Sequence, residues 1–342
     1  MGKYLLGVDG GNSKTDYLLC TTDGDFVDVF RSDTCSHEHF DTSYDGMEQV
    51  MRNQLNQLLT RNNINIEDIE AAGFGLAGAD LPGQIEELTK RVKKIGFGRF
   101  AVANDGVLGI KGACESGAGV CAVNGAGTVV LGMDELRNVQ QVGGIGPMSG
   151  DNAGGYFIAR EIITAWYAYY YRCGEHSVMC EKLNELFGEK SSDIAEIIND
   201  YELVTSKQQA IIKIGDEAAE ENDKIAKAIF DGVGQTIGNG VAGCIKLLSF
   251  ADRGTEENPL DIVMVGSIWH KVNYKGMRDT FEKTVLEKSG KICRYTSLKA
   301  PPAVGGVLWA KEIMNGSVTP AFRKNLLDFM TLEKYESLVY GK

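Results

Sequence analysis

The sequence contains no apolar run that approaches the roughly 18 residues needed to cross a membrane. Its first residues, MGKYLLGV, lack the basic segment, apolar stretch and cleavage site of a signal peptide, and we therefore expect a cytoplasmic protein. Positive charge is also scarce: 35 Lys and Arg against 47 Asp and Glu give a formal net charge of -12. Nucleic acids and anionic membranes are bound through basic patches, so we expect neither as a partner.

Paired cysteine motifs are absent too. The eight cysteines include no CxxC pair and have mostly apolar neighbours, as is typical of reduced thiols packed as small hydrophobic side chains. The spacing of Cys114 from Cys121 fits no metal-site pattern. Histidine is rare, with four in the chain, and His37 and His39 have no third ligand nearby in the sequence. We predict that His37 lies at the edge of a substrate site instead of binding a metal.

What remains is an ordinary globular composition, 43% hydrophobic and 24% charged, in a chain of 342 residues, which is long enough for two domains. Short apolar strands and amphipathic helices predict the order β-β-β-α-β-α-β up to Asp105. A similar pattern begins again at Gly119–Val123. This duplication predicts two similar α/β lobes with a ligand cleft between them. We place the lobes at residues 1–115 and 116–314, with residues 315–342 packing back on the first.

A long predicted helix near Ile225–Ile245 is unusually rich in glycine. Each glycine costs a helix roughly 1 kcal/mol relative to alanine. Such a density indicates that another backbone packs very close to this helix. Two later clusters of small residues, Val265–Ser267 and Ala303–Gly306, are interpreted as turns that allow close approach to a flat adenosine.

The segment GVDGGNSKT places a glycine-rich turn after the first strand. Backbone N–H groups in such a turn can approach an anion closely, and hydroxyl groups and a lysine add donors. An ordinary hairpin would explain the glycines but not the NSKT cluster. The segment is not a P-loop, because GxxxxGK[ST] does not fit and a strand follows. We predict phosphate contacts here and a Mg²⁺ ion held through water by Asp9. The predicted phosphate contacts are Gly11, Asn12, Ser13, Lys14 and Thr15.

A second turn of small residues, Asn124–Thr128, occupies the equivalent place in the second half of the chain. Two such hairpins could hold the β- and γ-phosphates from two sides. We therefore predict that Gly125, Ala126, Gly127 and Thr128 bind the same nucleotide as the first turn.

Asp105, in VANDG, follows a predicted strand, and the carboxyl ends of strands line ligand crevices in α/β sheets. A carboxylate there could accept the proton of a hydroxyl group that receives a phosphoryl group. The alternative is a helix N-cap. Further along, Gly143–Gly155 is dense in glycine and precedes a strong helix. Capping by Asp151 would not require so many glycines, so a binding loop lined by backbone groups is favoured.

The motifs GLAGAD, VANDG, GGIGPMSGDNAGGYFIAR and VGSIW, in this order, resemble the N-acetylglucosamine kinase branch of the BadF/BadG/BcrA/BcrD ATPases. That branch is part of the sugar kinase, actin and heat-shock chaperone superfamily, and the resemblance spans roughly Leu5–Ala310. It implies two duplicated ribonuclease H-like (actin-like ATPase) lobes that bind nucleotide and substrate in the cleft between them. It also implies a homodimer that uses Mg²⁺ and ATP to phosphorylate an amino sugar, N-acetylglucosamine at its 6-hydroxyl.

The resemblance further implies roles for individual residues. Asp105 corresponds to the general base that takes the proton from the sugar hydroxyl. Sugar contacts are implied at Gly78, Asp80, Gly144, Ile145 and Asp151, and contacts near adenosine at Gly215, Ala218 and Gly266.

Three departures from the family pattern bear on which sugar is accepted. Ile145 stands where the animal-type kinases have Trp, Ala126 replaces one residue of the usual GTGS hairpin, and Cys35–Phe40 replaces a Thr-Asn-His segment. Two alternatives stay open at this point. One is an ATPase that activates a radical dehydratase or reductase through an iron–sulfur cluster, although the ligand pattern for a cluster is missing. The other is a sugar sensor that binds without turnover.

Overall fold

The computed structural model describes residues 3–188 and 193–340. Within them, the chain divides into two compact units. The first unit holds the residues up to Cys121, Gly132–Val139 and the residues from Tyr295 onward; the second holds Ala122–Leu131 and Gln140–Arg294. Residues 295–314, which the sequence-based division gives to the second lobe, cluster here with the first unit, and the predicted boundaries after residues 115 and 314 stay a prediction.

The elements follow one another in mixed α/β order. The strands are β1 (Tyr4–Gly10), β2 (Lys14–Thr21), β3 (Phe26–Asp33), β4 (Ile69–Leu76), β5 (Phe100–Ala103), β6 (Gly119–Asn124), β7 (Thr128–Met133), β8 (Val139–Gly143), β9 (Leu260–Val265) and β10 (Cys293–Ser297). The helices are α1 (Tyr44–Arg61), α2 (Pro82–Ile95), α3 (Gly106–Ala113), α4 (Gly154–Tyr171), α5 (Met179–Phe187), α6 (Ile194–Asn199), α7 (Tyr201–Ser206), α8 (Gln208–Glu220), α9 (Lys224–Leu247), α10 (Ile268–Lys271), α11 (Lys275–Ser289), α12 (Pro302–Asn315), α13 (Pro320–Phe329) and α14 (Leu332–Tyr340). Among the helices of the described ranges, none combines the length and the apolar character that a membrane span requires.

Two five-stranded sheets carry the predicted duplication. The first has the strand order β3-β2-β1-β4-β5, and the second has the order β8-β7-β6-β9-β10. In the first sheet β1, β2 and β3 are antiparallel, whereas β4 and β5 run parallel to β1. In both sheets the first strand of the repeat lies in the centre, with its hairpin partners on one side and two later strands on the other. The prediction of two duplicated α/β lobes is confirmed at the level of sheet topology.

The first sheet is covered on both faces. The apolar row of α1, which includes Met47, Met51, Leu55 and Leu58, is buried together with residues of α2, β1 and β4. Residues of α12, α13 and α14 form a second core with Leu5, Leu18 and Ala71. Because strands buried on both faces show near-continuous apolar runs, LLGV in β1 matches its position at the centre of the sheet.

The prediction of a turn at Ala303–Gly306 is wrong, because these residues are helical, and their contact with adenosine stays a prediction. They lie in α12, which packs on the first sheet so closely that a methyl group on Gly7 would overlap the carbonyl oxygen of Ala303. A methyl group on Gly306 would in turn come within 2.7 Å of the Cα atom of Gly7. Small residues are needed here because a helix backbone touches a strand backbone.

The glycines of α9 confirm the prediction of a close backbone neighbour, which is α11. A methyl group on Gly234 would overlap the carbonyl oxygen of Met277, and one on Gly238 would come within 3.0 Å of the carbonyl oxygen of Phe281. By contrast, a methyl group on Gly232 of the same helix would meet no atom within 4 Å.

These two environments give opposite predictions for one substitution. Gly234→Ala is expected to lower the free energy of unfolding by about 2 kcal/mol, because the helices must separate to admit the methyl group. Gly232→Ala is the matched control and is expected to raise it by about 0.5–1 kcal/mol, because alanine favours the helix. Urea unfolding of both variants, monitored by circular dichroism, measures the difference. Equal changes in both would contradict the close contact between α9 and α11.

Candidate functional site

Asp105 lies where β5 ends and α3 begins. It occupies the N-cap position of α3, but its side chain makes no capping hydrogen bond. The backbone N–H of Gly106 donates instead to Oδ1 of Asn104, at 2.9 Å. Burial, reinforced by the charge of Asp80, raises the pKa of Asp105 to about 6. The carboxyl group is therefore not used as a helix cap and has a pKa close to neutral.

The two motifs GLAGAD and VANDG meet at this edge of the first sheet. Nδ2 of Asn104 donates to Oδ1 of Asp80 at 2.8 Å, and this bond joins the loop after β4 to the loop after β5. Gly75 of β4 lies close to Asp105, since a methyl group on Gly75 would come within 2.9 Å of the Cα atom of Asp105. Asp80 and Asp105, predicted as a sugar contact and as the base, are thus brought together.

His37 packs over the same loop. Gly78 has a φ of +75°, and a methyl group on it would come within 2.5 Å of Cε1 of His37. The His37 ring stacks on Tyr44, with 4.3 Å between ring centroids, and burial lowers the pKa of His37. In the part of the chain that the structure describes, Nδ1 of His37 and Oγ of Ser36 are buried without a hydrogen-bond partner. Both atoms therefore have hydrogen-bonding capacity that the described residues leave unused beside the Gly78 loop.

Ser36 was not among the predicted site residues. The signal that could have found it is its position in Cys35–Phe40, the segment that departs from the family pattern. A buried hydroxyl group without a partner costs free energy in the empty protein, which a polar ligand could recover.

The first glycine-rich turn joins β1 to β2. Asn12, Ser13 and Lys14 are exposed there, and Nζ of Lys14 lies 3.6 Å from Oδ2 of Asp16. Gly11 accepts a hydrogen bond at its carbonyl oxygen from Oγ1 of Thr34, at 2.8 Å. Thr15 differs from its neighbours: it is fully buried, and its Oγ1 accepts from the backbone N–H of Cys35 at 2.9 Å. The geometry leaves Asn12, Ser13 and Lys14 open to an anion and encloses the hydroxyl group of Thr15.

Asp9 ends the apolar part of β1 and pairs in register with Asp16 of β2. Burial and the nearby carboxylates of Asp105 and Asp16 raise its pKa to about 8. Arg31 binds Asp16 through two hydrogen bonds, of 2.6 and 2.9 Å. A buried carboxyl group with an excess of negative neighbours suits a bound cation, which would favour its ionised form.

Magnesium fits this position better than an ion that needs a full protein cage. The described residues contain no group of three or more His, Cys, Asp or Glu side chains that could hold a metal. Mg²⁺ keeps several waters and is commonly bound by one or two carboxylates together with substrate phosphates. Asp9 is the residue of this unit that would hold such an ion.

The second glycine-rich turn joins β6 to β7 in the second unit. Its backbone is fixed by hydrogen bonds from the N–H groups of Gly155 and Tyr156 to the carbonyl oxygens of Gly125 and Ala126, at 2.8 and 3.1 Å. Ala126 and Gly127 are exposed. The predicted donor Oγ1 of Thr128 donates to the carbonyl oxygen of Val123, at 3.0 Å.

Asn124 starts this turn, as the sequence predicts, but it was not among the predicted binding residues. Its Oδ1 accepts from the backbone N–H of Gly154 at 2.9 Å. Its Nδ2 is buried without a hydrogen-bond partner among the described residues. Gly266, predicted near adenosine, supports the same turn: it has a φ of +108°, and a methyl group on it would come within 2.6 Å of the carbonyl carbon of Asn124.

Asp151 organises the glycine-rich loop before α4. Its Oδ2 accepts from the backbone N–H groups of Ile145 and Gly146, at 3.0 and 2.7 Å. Gly143 and Gly144 have positive φ, and a methyl group on Gly143 would overlap Oδ1 of Asp151. The N-cap of α4 is Ala153, so Asp151 holds the loop and does not cap the helix. Ile145 is 62% exposed, an open apolar side chain at the tip of the loop.

A cavity of about 500 Å³ lies beside the second turn. Its lining includes Gly125, Ala126, Gln208, Ile212, Lys213 and Ser267. Volumes of a few hundred cubic ångströms are typical of small-molecule sites, and this one would admit a nucleoside. We call it the nucleoside cavity.

Gly215 and Ala218, predicted near adenine, lie on the opposite side of α8 from this cavity. Gly215 faces Ile162 and Phe230, and Ala218 is fully buried. Ile212, which is mostly buried, and the exposed Lys213 line the nucleoside cavity instead. Asp216 also lines the nucleoside cavity, and Ile212 and Lys213 precede it by four and three residues, which places them on the same side of a helix. This spacing is the signal that could have identified Ile212 and Lys213.

The fold and these two turns define an actin-like ATPase, the class that the duplicated sheets predict. Solved structures with this fold include two candidate N-acetylglucosamine kinases. The one from Chromobacterium violaceum has a TM-score of 0.62 and 19% identity, covering 91% of this chain and 99% of that one. The one from Porphyromonas gingivalis has a TM-score of 0.60 and 16% identity, with the same coverage of 91% and 99%.

The chain belongs to the BadF/BadG/BcrA/BcrD ATPase family, whose sequence profile matches residues 6–310. This confirms the resemblance found in the motifs. A relative, the N-acetylmuramic acid/N-acetylglucosamine kinase of Clostridium acetobutylicum, is 22% identical over 313 residues, covering 91% of this chain and 99% of its own length.

Proposed function

We propose that the protein is an ATP-dependent kinase that transfers the γ-phosphoryl group of Mg-ATP to a hydroxyl group of an amino sugar, with the 6-hydroxyl of N-acetylglucosamine as the acceptor to test first. The observation that carries the proposal is Asp105, a half-buried carboxyl group that caps no helix and has a pKa of about 6. A general base works best when its pKa lies near the working pH.

The proposed step is an in-line displacement. The acceptor oxygen forms a bond to the γ-phosphorus while the bond to the bridging oxygen breaks and ADP leaves. Asp105 accepts the hydroxyl proton. The hydrogen bond between Asn104 and Asp80 holds the loop that carries Asp105. Ser36 and His37 offer neutral polar atoms to the other hydroxyl groups of the sugar.

Each of the two turns has groups that suit a phosphate. The exposed N–H, hydroxyl and ammonium groups of Asn12, Ser13 and Lys14 suit an anion, as do the open backbone groups of Ala126 and Gly127. Asp9 would hold Mg²⁺ through water, and the ion, when bound, supplies positive charge against the phosphate oxygens.

The substrate follows from the relatives only as a class. The names of the Clostridium relative and of the two structural neighbours support N-acetylated amino sugars. Ile145 and Met148 are exposed apolar residues of the glycine-rich loop, and Ile145 is the predicted contact with the sugar ring.

The test is an ADP-release assay with Mg-ATP and a panel of N-acetylglucosamine, N-acetylmuramic acid, N-acetylmannosamine, glucosamine and glucose, with a control without sugar. Stimulation by an N-acetylated sugar supports the proposal. Sugar-independent ATP hydrolysis would move the assignment to an activator ATPase, and sugar binding without turnover would move it to a sensor.

The oligomeric state and the cellular location of the protein are also proposed. A homodimer is implied by the family resemblance, and light scattering of the purified chain would test it. A cytoplasmic location suits the use of ATP and the cysteines, which form no disulfide among the described residues and are mostly buried.

Gly75→Ala is expected to lower kcat by about 10–100-fold, because the added methyl group displaces the start of α3 and with it Asp105. Gly83→Ala, in which the methyl group meets no atom within 4 Å, is the control and should leave kcat unchanged. Steady-state kinetics with saturating ATP compare the two. A Gly75→Ala protein that is folded and fully active would show that Asp105 does not need this position.

A further inference from the structure

The second unit contains a cleft that the proposed reaction does not use. It lies between α4, α6, α7 and the first residue of α8, and its volume is about 530 Å³. None of the phosphate-binding turns or sugar loops discussed above contributes a described residue to it. We call it the aromatic cleft.

Its walls are flat and apolar. Tyr156 of α4 and Tyr201 of α7 stand 6.3 Å apart by ring centroids, and Ile163 and Ile198 add aliphatic surface. Tyr156 and Tyr201 are more than half exposed, at 52% and 61%. Aromatic side chains that remain this accessible favour an aromatic or other planar ligand.

The charges in the aromatic cleft have one sign. Its charged lining residues are Arg160 and Arg172, and no carboxylate stands among the described residues that line it. This is unusual for a chain with a net charge of -12. Arg160 pairs with Glu161 at 3.0 Å, but both side chains are substantially exposed, and such surface pairs contribute little. Arg172 lies over the ring of Tyr167, 5.4 Å from its centroid. The cleft therefore attracts an anionic group to its rim.

One residue connects this cleft to the nucleoside cavity. Gln208, the first residue of α8, lines both. The next turn of α8 supplies Ile212 and Lys213 to the nucleoside cavity. A ligand that fixes the start of α8 would therefore also affect residues that face a nucleotide.

We propose that the aromatic cleft is a second ligand site, for a small molecule with a flat apolar body and one carboxylate. Such a ligand is neither the phosphoryl donor nor a sugar, and its binding does not depend on the proposed kinase activity. Because the two cavities share Gln208, this ligand and ADP change each other's affinity. Linkage requires the factor to be the same in both directions.

The probe is 1-naphthoate, with the neutral 1-naphthamide as the matched ligand, titrated into the full chain by calorimetry. We expect naphthoate to bind at least about 10-fold more tightly than the amide, because of the arginines. The double variant Arg160→Gln/Arg172→Gln should lose that difference. Arg278→Gln is the control, since Arg278 is an exposed arginine of α11 that also pairs with a glutamate, Glu282.

A second variant distinguishes naphthoate binding in the aromatic cleft from naphthoate binding elsewhere on the protein. Thr205 is exposed in α7 and lines the cleft, so Thr205→Trp should fill it and weaken naphthoate binding by about 10-fold or more while the protein still binds ADP. Saturating ADP should change the naphthoate affinity by a limited factor, on the order of 5-fold.

Several results would overturn the proposal. These are no binding at millimolar naphthoate, equal binding of acid and amide, and a Thr205→Trp variant that binds as the wild type does. Complete displacement by ADP would place the probe in the nucleoside cavity, and an ADP affinity that naphthoate leaves unchanged would refute the coupling through Gln208.

Discussion

Asp105→Asn is expected to lower kcat by about 10²–10⁴-fold while the affinity for ADP stays within about twofold. Asparagine matches the shape of aspartate and can still face the acceptor hydroxyl, but it cannot take the proton. The side chain caps no helix, so the substitution removes no capping hydrogen bond, and the fold should persist. Steady-state kinetics with the best acceptor and ADP titration by calorimetry measure the two quantities.

The pH profile gives an independent check. Because the base must be ionised and its pKa is raised to about 6, wild-type kcat/KM should fall as the pH drops below about 6 and level off above it. In Asp105→Asn, kcat/KM should no longer fall in this way at acidic pH. Asp41→Asn, at an exposed position, is the matched control and should keep both the rate and the profile. A near-normal rate in Asp105→Asn would remove Asp105 from the role of base.

Asp9→Asn is expected to have opposite effects on activity and on stability. Turnover should fall by about 10²-fold, with a higher Mg²⁺ concentration needed for half-maximal rate, because a neutral amide is a poorer partner for a hydrated cation. At pH 8 without Mg²⁺, the free energy of unfolding should rise by about 2 kcal/mol, because the variant no longer holds a carboxyl group beside those of Asp16 and Asp105.

The sign of the stability effect follows from the shift of the pKa. The pKa of Asp9 rises from its ordinary value of 3.8 to about 8 in the folded protein, so the folded state holds the proton more tightly than the unfolded state. Wild-type stability is therefore lost as the pH rises from about 4 to about 8. The variant lacks this loss, so its advantage should be large at pH 8 and vanish near pH 4. An advantage of the same size at both pH values, measured by urea unfolding in EDTA, would contradict the assignment.

Local motifs could be predicted from the sequence because their geometry depends on neighbouring residues. The two turns between β1 and β2 and between β6 and β7 follow from glycine between apolar strands. The position of Asp105 follows from its place directly after an apolar strand. The duplication of the sheets was also visible, since each half repeats the same order of short strands and turns.

Contacts between distant segments could not be predicted. Ser36 and Asn124 are notable for polar atoms without partners, and burial of a single atom depends on how remote segments pack. Ala303–Gly306 was taken for a turn because small residues suit both a turn and a helix pressed against a strand. Gly215 and Ala218 were placed near adenine although the opposite side of α8 faces the cavity.

The contact of α12 with β1 also has a consequence for the order of folding during protein synthesis. The first strand is synthesised long before the helix that covers one of its faces, because the two are about three hundred residues apart in the chain. Until Pro302–Asn315 has been synthesised, Gly7 and the apolar face around Leu5 and Leu18 lack the helix that packs on them in the folded protein. The nascent first unit must therefore wait, exposed to chaperones and proteases, while the whole of residues 140–294 is translated. A stop codon before Pro302 would leave the apolar face around Leu5 and Leu18 without α12.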